Sequence, residues 1–468
     1  MQWLSLIPAL ITIFLTFKTK KLIPSLFLGV VTGSLISTRS VFNGITSIGE
    51  FIMDVLTDKD SAYTLGFLIA FGALAELIEM AGGISGFSQN VEKWAKGEKG
   101  VLGWGWLLSA ITFFDSSFHT IAVGTVLTPL LEKVKGSKEK FAFILSVTSL
   151  QLIVLIPIAT GYLGYMVTLV TNNIKDTGIT ESSYIIVAKS VLWNFFSWSM
   201  LLIALGVTLF GLGFGKFKLG TVKNEAEELT KEHIEKEKKA NQTVEEYPGR
   251  AQNLIIPIMV LLTATIFFFW WTGREKSETF FGALSNANFN AAIFAGAILT
   301  IFVTGIYFLF QKISLAEIEV HIIKGGEKVL SLIIILVLSW ALTGLTQELG
   351  FNSLIGENLI KSIPKFLIPA ALFLMSGVIS YTIGSSWATW ALMMPLAIAF
   401  TVNSGVNTAL MVGTVWAGGA VTDVVSPLSA DMAKISFGDH MVTSLPYVIA
   451  GALIAVVGYI VIGLFYLV

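Results

Sequence analysis

The sequence predicts an all-α polytopic membrane protein of about ten transmembrane helices and two re-entrant hairpins, arranged as two inverted repeats. Three observations carry that expectation. Hydrophobic residues fill 54% of the 468 positions and charged residues only 13%, against about 25% charged in soluble domains. Apolar runs such as "LIIILVLSWALTGLT" and "VIAGALIAVVGYIVIGLFYLV" recur along the chain, and about 20 helical residues cross a hydrocarbon core about 30 Å thick. Two further runs are too long for one crossing and are interrupted near the middle by small polar residues, "FFDSS" (113–117) and "TIGSS" (382–386).

Taken in order, the chain opens on "MQWLSLIPALITIFLTFKTKKLIP", which lacks the basic start and small-residue cleavage site of a signal peptide. It reads as a retained first span closed by lysines. Hydropathy then places spans near residues 3–17, 22–37, 62–80, 141–171, 187–215, 253–272, 289–310, 329–348, 407–435 and 442–467. The interrupted runs, about 101–131 and about 366–402, are expected to return to the side they entered from.

Charge supports that layout. With the N-terminus outside and neither hairpin crossing, 22 of the 30 Lys and Arg fall on the cytoplasmic side and 8 outside, as the positive-inside rule requires. Were one hairpin a single crossing, every later loop would change sides and the bias would weaken. Both termini are therefore expected outside the cytoplasmic membrane.

The charged stretch "KNEAEELTKEHIEKEKKANQTVEEYPGR" lies in a segment, 216–252, that reads as a solvated cytoplasmic linker. It separates a first repeat, 1–215, from a second, 253–468. "GALAELIEMAGGISGF" (72–87) pairs with "SWALTGLTQELGFNSL" (339–354), the two interrupted runs pair with each other, and "LIPIATGYLGYM" (155–166) pairs with "VSPLSADMAKIS" (425–436), each with a proline breaking an apolar helix. Five crossings per half is odd, so the second half enters the membrane inverted. Inverted repeats with broken helices at the midplane point to secondary transport.

Other classes fit poorly. There is no cysteine, which excludes thiol catalysis, iron–sulfur clusters and disulfides. Four His and a net charge of −1 give no sign of nucleic-acid binding, and neither an HExxH motif nor a phosphate-binding glycine loop is present. A channel filter usually needs several identical subunits around one pore, whereas an inverted repeat builds a site within each protomer. The chain is not expected to be an enzyme or to carry a cofactor; Na+ and H+ would be transported or coupling ions.

Irregular backbone at membrane depth is tolerated where it lines a cavity or binds something. Ser116, Ser117, Ser385 and Ser386 at the two tips offer hard oxygen ligands suited to Na+. The same serines also suit tight turns. Asp115 stands inside an apolar run, where an ionisable group costs about 2.5–3.5 kcal/mol on insertion scales and usually serves a function. Asp423, just before the "SP" helix break, is read the same way, and these two acids are the candidate Na+ ligands. Asp431 is a further candidate, although it also suits a cytoplasmic helix end near Lys434. His119 follows Asp115 by one turn and either carries protons or makes a fixed hydrogen bond. Thr160 and Ser429 flank the two prolines and complete the set. Trp387 and Trp390 flank the second tip as stacking or packing residues, and Glu76 and Glu79 are either a proton site or solvated acids at a span's end.

At these residues the sequence resembles the NhaC-type sodium/proton antiporters, a family that also contains malate–lactate antiporters. "FFDSSFHTIAVGTVLTP" resembles F-F-D-D-x-F-N-S-x-T-V-G-T-x-x-x-P, and "IGSSWATWALMMPLA" resembles T-G-T-S-W-G-T-x-x-x-M-x-P-x-A. "GGAVTDVVSPLSADMAKIS" is similar to G-x-x-F-G-D-H-x-S-P-I-S-D-T, and "HMVTSLPY" to H-V-x-T-Q-L-P-Y. The resemblance runs from about residue 60 to the end of the chain. It implies an ion-transporter-superfamily fold: a scaffold domain, a mobile transport domain carrying both hairpins, elevator-like movement and a homodimer in the lipid bilayer. Departures fall at Ser116, His119, Val424 and Ala430, where the motifs have Asp, Asn, His and Asp. Na+/H+ antiport is the expected function. The alternative is a Na+- or H+-coupled carrier of a small carboxylate or amino acid.

Overall fold

In a computed structural model, the described residues are 2–19, 21–83, 97–113, 116–157, 160–175, 177–211, 213, 247, 249–277, 279–285, 287–350 and 364–466. All regular structure among them is helical. The linker, apart from residues 247 and 249–252, lies outside the described residues.

Near the N-terminus are α1 (Leu6–Thr19), α2 (Leu22–Thr38), α3 (Val41–Thr57) and α4 (Lys59–Met80). Side-chain oxygens that accept from backbone N–H groups set two of these starts: Ser40 from Asn43 for α3, and Asp58 from Ser61 for α4 at 3.0 Å. Hydropathy did not foresee α3. It buries Gly44 and Ser47 and exposes Phe42, Ile45, Met53 and Leu56, so its apolar residues form one face rather than a continuous run.

The first hairpin is α5 (Gly97–Thr112) and α6 (Ser116–Lys133). The next apolar segment is not one straight span. Helix α7 (Lys138–Ser146) runs into a π-turn (Val147–Gln151), leaves helical geometry around Pro157, and restarts as α8 (Gly161–Ile174). Helices α9 (Ser183–Ser190) and α10 (Phe195–Phe210) follow, bent by 46° at the break between them.

The second half holds α11 (Gln252–Gly273), a short α12 (Phe280–Ser285), α13 (Phe289–Phe310) and α14 (Leu315–Glu348). Helix α14 has 34 residues, beginning at a capping box between Ser314 and Glu317; only its later part was expected as a span. The second hairpin is α15 (Ile368–Ile383) and α16 (Ser386–Ser404). Then come α17 (Thr408–Gly419), a 3-10 turn (Thr422–Val424), α18 (Pro427–Met432) and α19 (Phe437–Tyr466).

Seven helices or broken helices among the described residues are long and apolar enough to cross a membrane, and eight if α9 and α10 make one span. Helices α1 and α2 have 14 and 17 residues.

Packing sorts the helices into two groups. Helices α1–α4 pack with α11, α13 and α14, while α5–α10 pack with α15–α19. In the first group α4 crosses α14 where Gly72 meets Gly325. A Cβ on Gly72 would lie 2.4 Å from the Gly325 carbonyl oxygen, so the two backbones touch only because both residues are glycine. One turn on, Glu76 is 1% exposed and meets His321 Nδ1 at 3.0 Å and Lys328 Nζ at 2.6 Å. The expectation of a solvated acid at this position is overturned: burial against α14 demands partners, and α14 supplies them. The groups meet where α8 lies against α4 and α13, and where α16 lies against α14.

Candidate functional site

Both hairpin tips and both helix breaks belong to the second group of helices, and α8 links them. Helix α5 ends at Thr112 and α6 starts at Ser116; Phe114 and Asp115, between them, lie outside the described residues. Ser116 opens α6, and its hydroxyl shares a short hydrogen bond with the Tyr162 hydroxyl in the first turn of α8. Ser117 beside it is exposed. Thr160 is buried and caps α8, accepting from the Leu163 N–H at 3.1 Å, so its hydroxyl serves the helix start.

From Tyr162 the contacts run directly to the second tip. Its ring lies 4.5 Å from that of Trp387, and the Tyr165 hydroxyl donates to the Trp387 carbonyl oxygen at 2.5 Å. Ser385 caps α16 by accepting from the Ala388 N–H at 3.3 Å, which is the turn role weighed for it. Ser386 is buried and lies beside the carboxylate of Asp423 in the 3-10 turn of the second break. Trp390 is fully buried and donates from Nε1 to the Trp416 carbonyl at the end of α17, 3.0 Å away.

Asp423 is the group with unspent capacity. Its Oδ2 is buried with no hydrogen-bond partner among the described residues. An ionised carboxylate accepts several hydrogen bonds, so an enclosed oxygen without one is costly unless it is protonated or meets a cation. Ser429, one turn into α18, also buries an unpartnered hydroxyl. Asp431 sits in the last turn of α18, half-buried, and its backbone carbonyl accepts from the Lys434 N–H.

His119 does not reach this junction. It is buried between α5 and the π-turn, with Nδ1 2.7 Å from the Thr112 hydroxyl and Nε2 3.1 Å from that of Thr148. Both ring nitrogens are engaged, the fixed-bond arrangement of the two weighed from sequence.

Three residues escaped sequence reasoning. Tyr162 and Tyr165 sit in the "GYLGYM" that follows the first break, where aromatic rings three apart read as packing. Gln151 ends the π-turn, donates to the Ala420 carbonyl at 2.7 Å and accepts from Ser197 at 2.6 Å, tying the first break to the second. A buried Gln inside "SLQLIVLIP" was the available signal, and π-turns within α-helices often mark functional sites. Among the described residues there is no cluster of three or more His, Asp or Glu that could hold a transition metal.

Comparison with known proteins gives these features a family. A protein of Haemophilus influenzae is 27% identical over 487 aligned positions, which take in 99% of this chain and 91% of that one. Among solved structures, the YdaH transporter of Alcanivorax borkumensis matches with a TM-score of 0.58 at 14% identity, covering 91% of this chain and 90% of its own. Neisseria gonorrhoeae MtrF, from a class of antimetabolite efflux pumps, matches with a TM-score of 0.51 at 14% identity, over 93% of this chain and 86% of its own. Both share the fold. The sequence profile of the Na+/H+ antiporter family matches residues 152–464, a region that holds α8, the second hairpin and both Asp423 and Asp431. The chain belongs to the Na+/H+ antiporter family and is a multi-pass membrane transport protein.

Proposed function

We propose that the chain exchanges Na+ for H+ across the cytoplasmic membrane by alternating access, with the hairpin-bearing helices moving as an elevator against α1–α4, α11, α13 and α14. The observation that carries this reading is the enclosed, unpartnered Oδ2 of Asp423 beside Ser386. A buried carboxylate there binds either a proton or a hard cation, and each displaces the other. Exchange follows from that competition. The Ser386 hydroxyl is a second hard oxygen ligand, Ser116 and Ser117 flank the same junction, and Asp115 on the first tip would supply the other acid.

A second reading is coupled transport of a small carboxylate or amino acid. The four rings of Tyr162, Tyr165, Trp387 and Trp390, with centroids 4.5–6.2 Å apart, favour it. They pack on one another next to Ser386, Trp387 being the one that is only half-buried, and an organic body would stack on that ring. The homodimer, the inverted relation of the halves and the outside placement of both termini belong to this proposal.

The test is proteoliposome flux with a pH dye inside and Na+ added outside. Proton movement that requires Na+ and disappears in Asp423→Asn supports exchange. Active reconstituted protein with no Na+-driven proton signal, but with uptake of a labelled carboxylate or amino acid, replaces it with the second reading.

A further inference from the structure

The contact between α4 and α8 has a regularity that transport at the tips does not explain. The helices run antiparallel, and their facing residues form rungs at one-turn intervals. Lys175 Nζ, just past the end of α8, meets Asp58 Oδ1 at 2.8 Å. Asn172 Nδ2 donates to Ser61 Oγ at 3.2 Å, and the Thr168 and Thr64 hydroxyls hydrogen-bond each other. Below these, Gly164 lies against Phe67 and Gly161 against Phe71 and Leu68. The spacing is three or four residues on both helices, so each rung on one helix is a turn from the next.

A polar ladder of this kind has a second register. Moved one turn, about 5.4 Å, toward its own C-terminus, α8 would set Asn172 opposite Asp58, Thr168 opposite Ser61 and Gly164 opposite Thr64. Asn172 and Thr168 then each face another hydrogen-bonding side chain, while Thr64 faces a glycine and keeps its bond to the Asp60 carbonyl at 2.9 Å. Thr168 leaves the Asn290 side chain of α13 that it reaches at 3.3 Å, and Lys175 leaves Asp58. Room lies at that end: a cavity of about 300 Å³ is lined by Asp54, Asp58, Asn172 and Lys175 on one side and by Thr343 and Gln347 of α14 on the other. Asp54 there offers Lys175 a replacement carboxylate.

The same helix touches both tips, through Tyr162 to Ser116 and through Tyr165 to the Trp387 carbonyl. A step of α8 along α4 therefore shifts the site as a unit. We propose that Thr168, Asn172 and Lys175 are positioning residues for transport, forming a one-turn ratchet on Asp58, Ser61 and Thr64 whose two registers are the two ends of the transport step. Packed interfaces tend to hold two discrete arrangements rather than deform smoothly, and one-turn ratchets of helix past helix are known elsewhere. This rests on the moving-hairpin reading above.

The chain has no cysteine, so paired cysteines report the register without background. Ser61→Cys with Asn172→Cys reads the register seen here, and Ser61→Cys with Thr168→Cys reads the stepped one. Asp58→Cys with Asn172→Cys reads the stepped register independently, should either other pair fold poorly. Disulfide formation needs Cα atoms within about 7 Å. In proteoliposomes both registers are expected to cross-link under mild oxidation, each with loss of flux that a reductant restores. Cross-linking confined to Ser61–Asn172, or flux that persists unchanged in that locked pair, overturns the ratchet while leaving transport intact. Absence of flux in the unsubstituted chain strikes the functional reading instead.

Discussion

The two halves place their chemistry on opposite elements. In the first, the break contributes hydroxyls, Thr160 as a cap and Tyr162 to Ser116, while the acid read from sequence, Asp115, lies outside the described residues. In the second, the tip contributes hydroxyls, Ser385 as a cap and Ser386 to the acid, while the break carries Asp423. By sequence position the two candidate acids stand on different elements, Asp115 within an interrupted run and Asp423 before a proline-marked break. The two acids are therefore not equivalent copies. Asp423 lies in the 3-10 turn that follows α17, whose end is tied through Ala420 to Gln151.

That asymmetry is broken most sharply by Asp423→Asn, which keeps the shape and removes the charge. Na+-dependent proton flux is expected to disappear, with the protein still extracted as folded material. If flux survives at wild-type rate, the second break is not the cation site and the contrast between halves loses its meaning. Asp115→Asn is expected to act next most strongly, lowering flux and shifting its pH dependence without abolishing Na+ binding measured by isothermal titration. Loss of binding equal to that of Asp423→Asn would make the acids one joint site. Ser386→Ala removes a single hydroxyl from beside the carboxylate, and a hydrogen bond to a charged group is worth about 1.5–3 kcal/mol. The Na+ concentration for half-maximal flux is expected to rise by about tenfold or more; an unchanged value would show that Ser386 only packs.

Much of this arrangement is legible in the sequence because membrane burial makes polar residues conspicuous. "FFDSS" and "TIGSS" stand out from their apolar surroundings, and in each run one helix ends and the next begins at that interruption. Asp423 is visible for the same reason, two residues ahead of a proline-marked break. What stays hidden is what pairing across the chain decides. Glu76 looks like an acid at a span's end until α14 brings His321 and Lys328 to it from 245 positions away and more. Tyr162 and Tyr165 look like packing residues, because nothing local says that their hydroxyls reach the tips. Helix α3 escapes because its apolar residues recur at helical spacing on one face rather than run together, which a hydropathy window averages away.

The smallest expected effect belongs to the far end of α8, and it separates the site from the ladder that carries it. Asp58 is outside the membrane-spanning segments. Partial burial alone would raise its carboxyl pKa, but the hydrogen bond from Lys175, those from Ser61 and the charge of Lys175 outweigh it and hold the value below the ordinary one. A carboxyl whose folded value is lowered contributes stability that is fully present above its unfolded value, about 3.9, and is lost as pH falls through the folded value. At neutral pH Asp58→Asn is therefore expected to lower the thermal unfolding midpoint slightly, because the pair is half-exposed and screened. Below about pH 4 the midpoints of the two proteins should converge. Asp423→Asn gives the contrasting case, with its effect on flux and little on this convergence. A gap between wild type and Asp58→Asn that persists unchanged at acid pH would mean that the Lys175 pair does not hold the end of the ladder, and α8 would then be anchored by the Thr64–Thr168 contact and its neighbours alone.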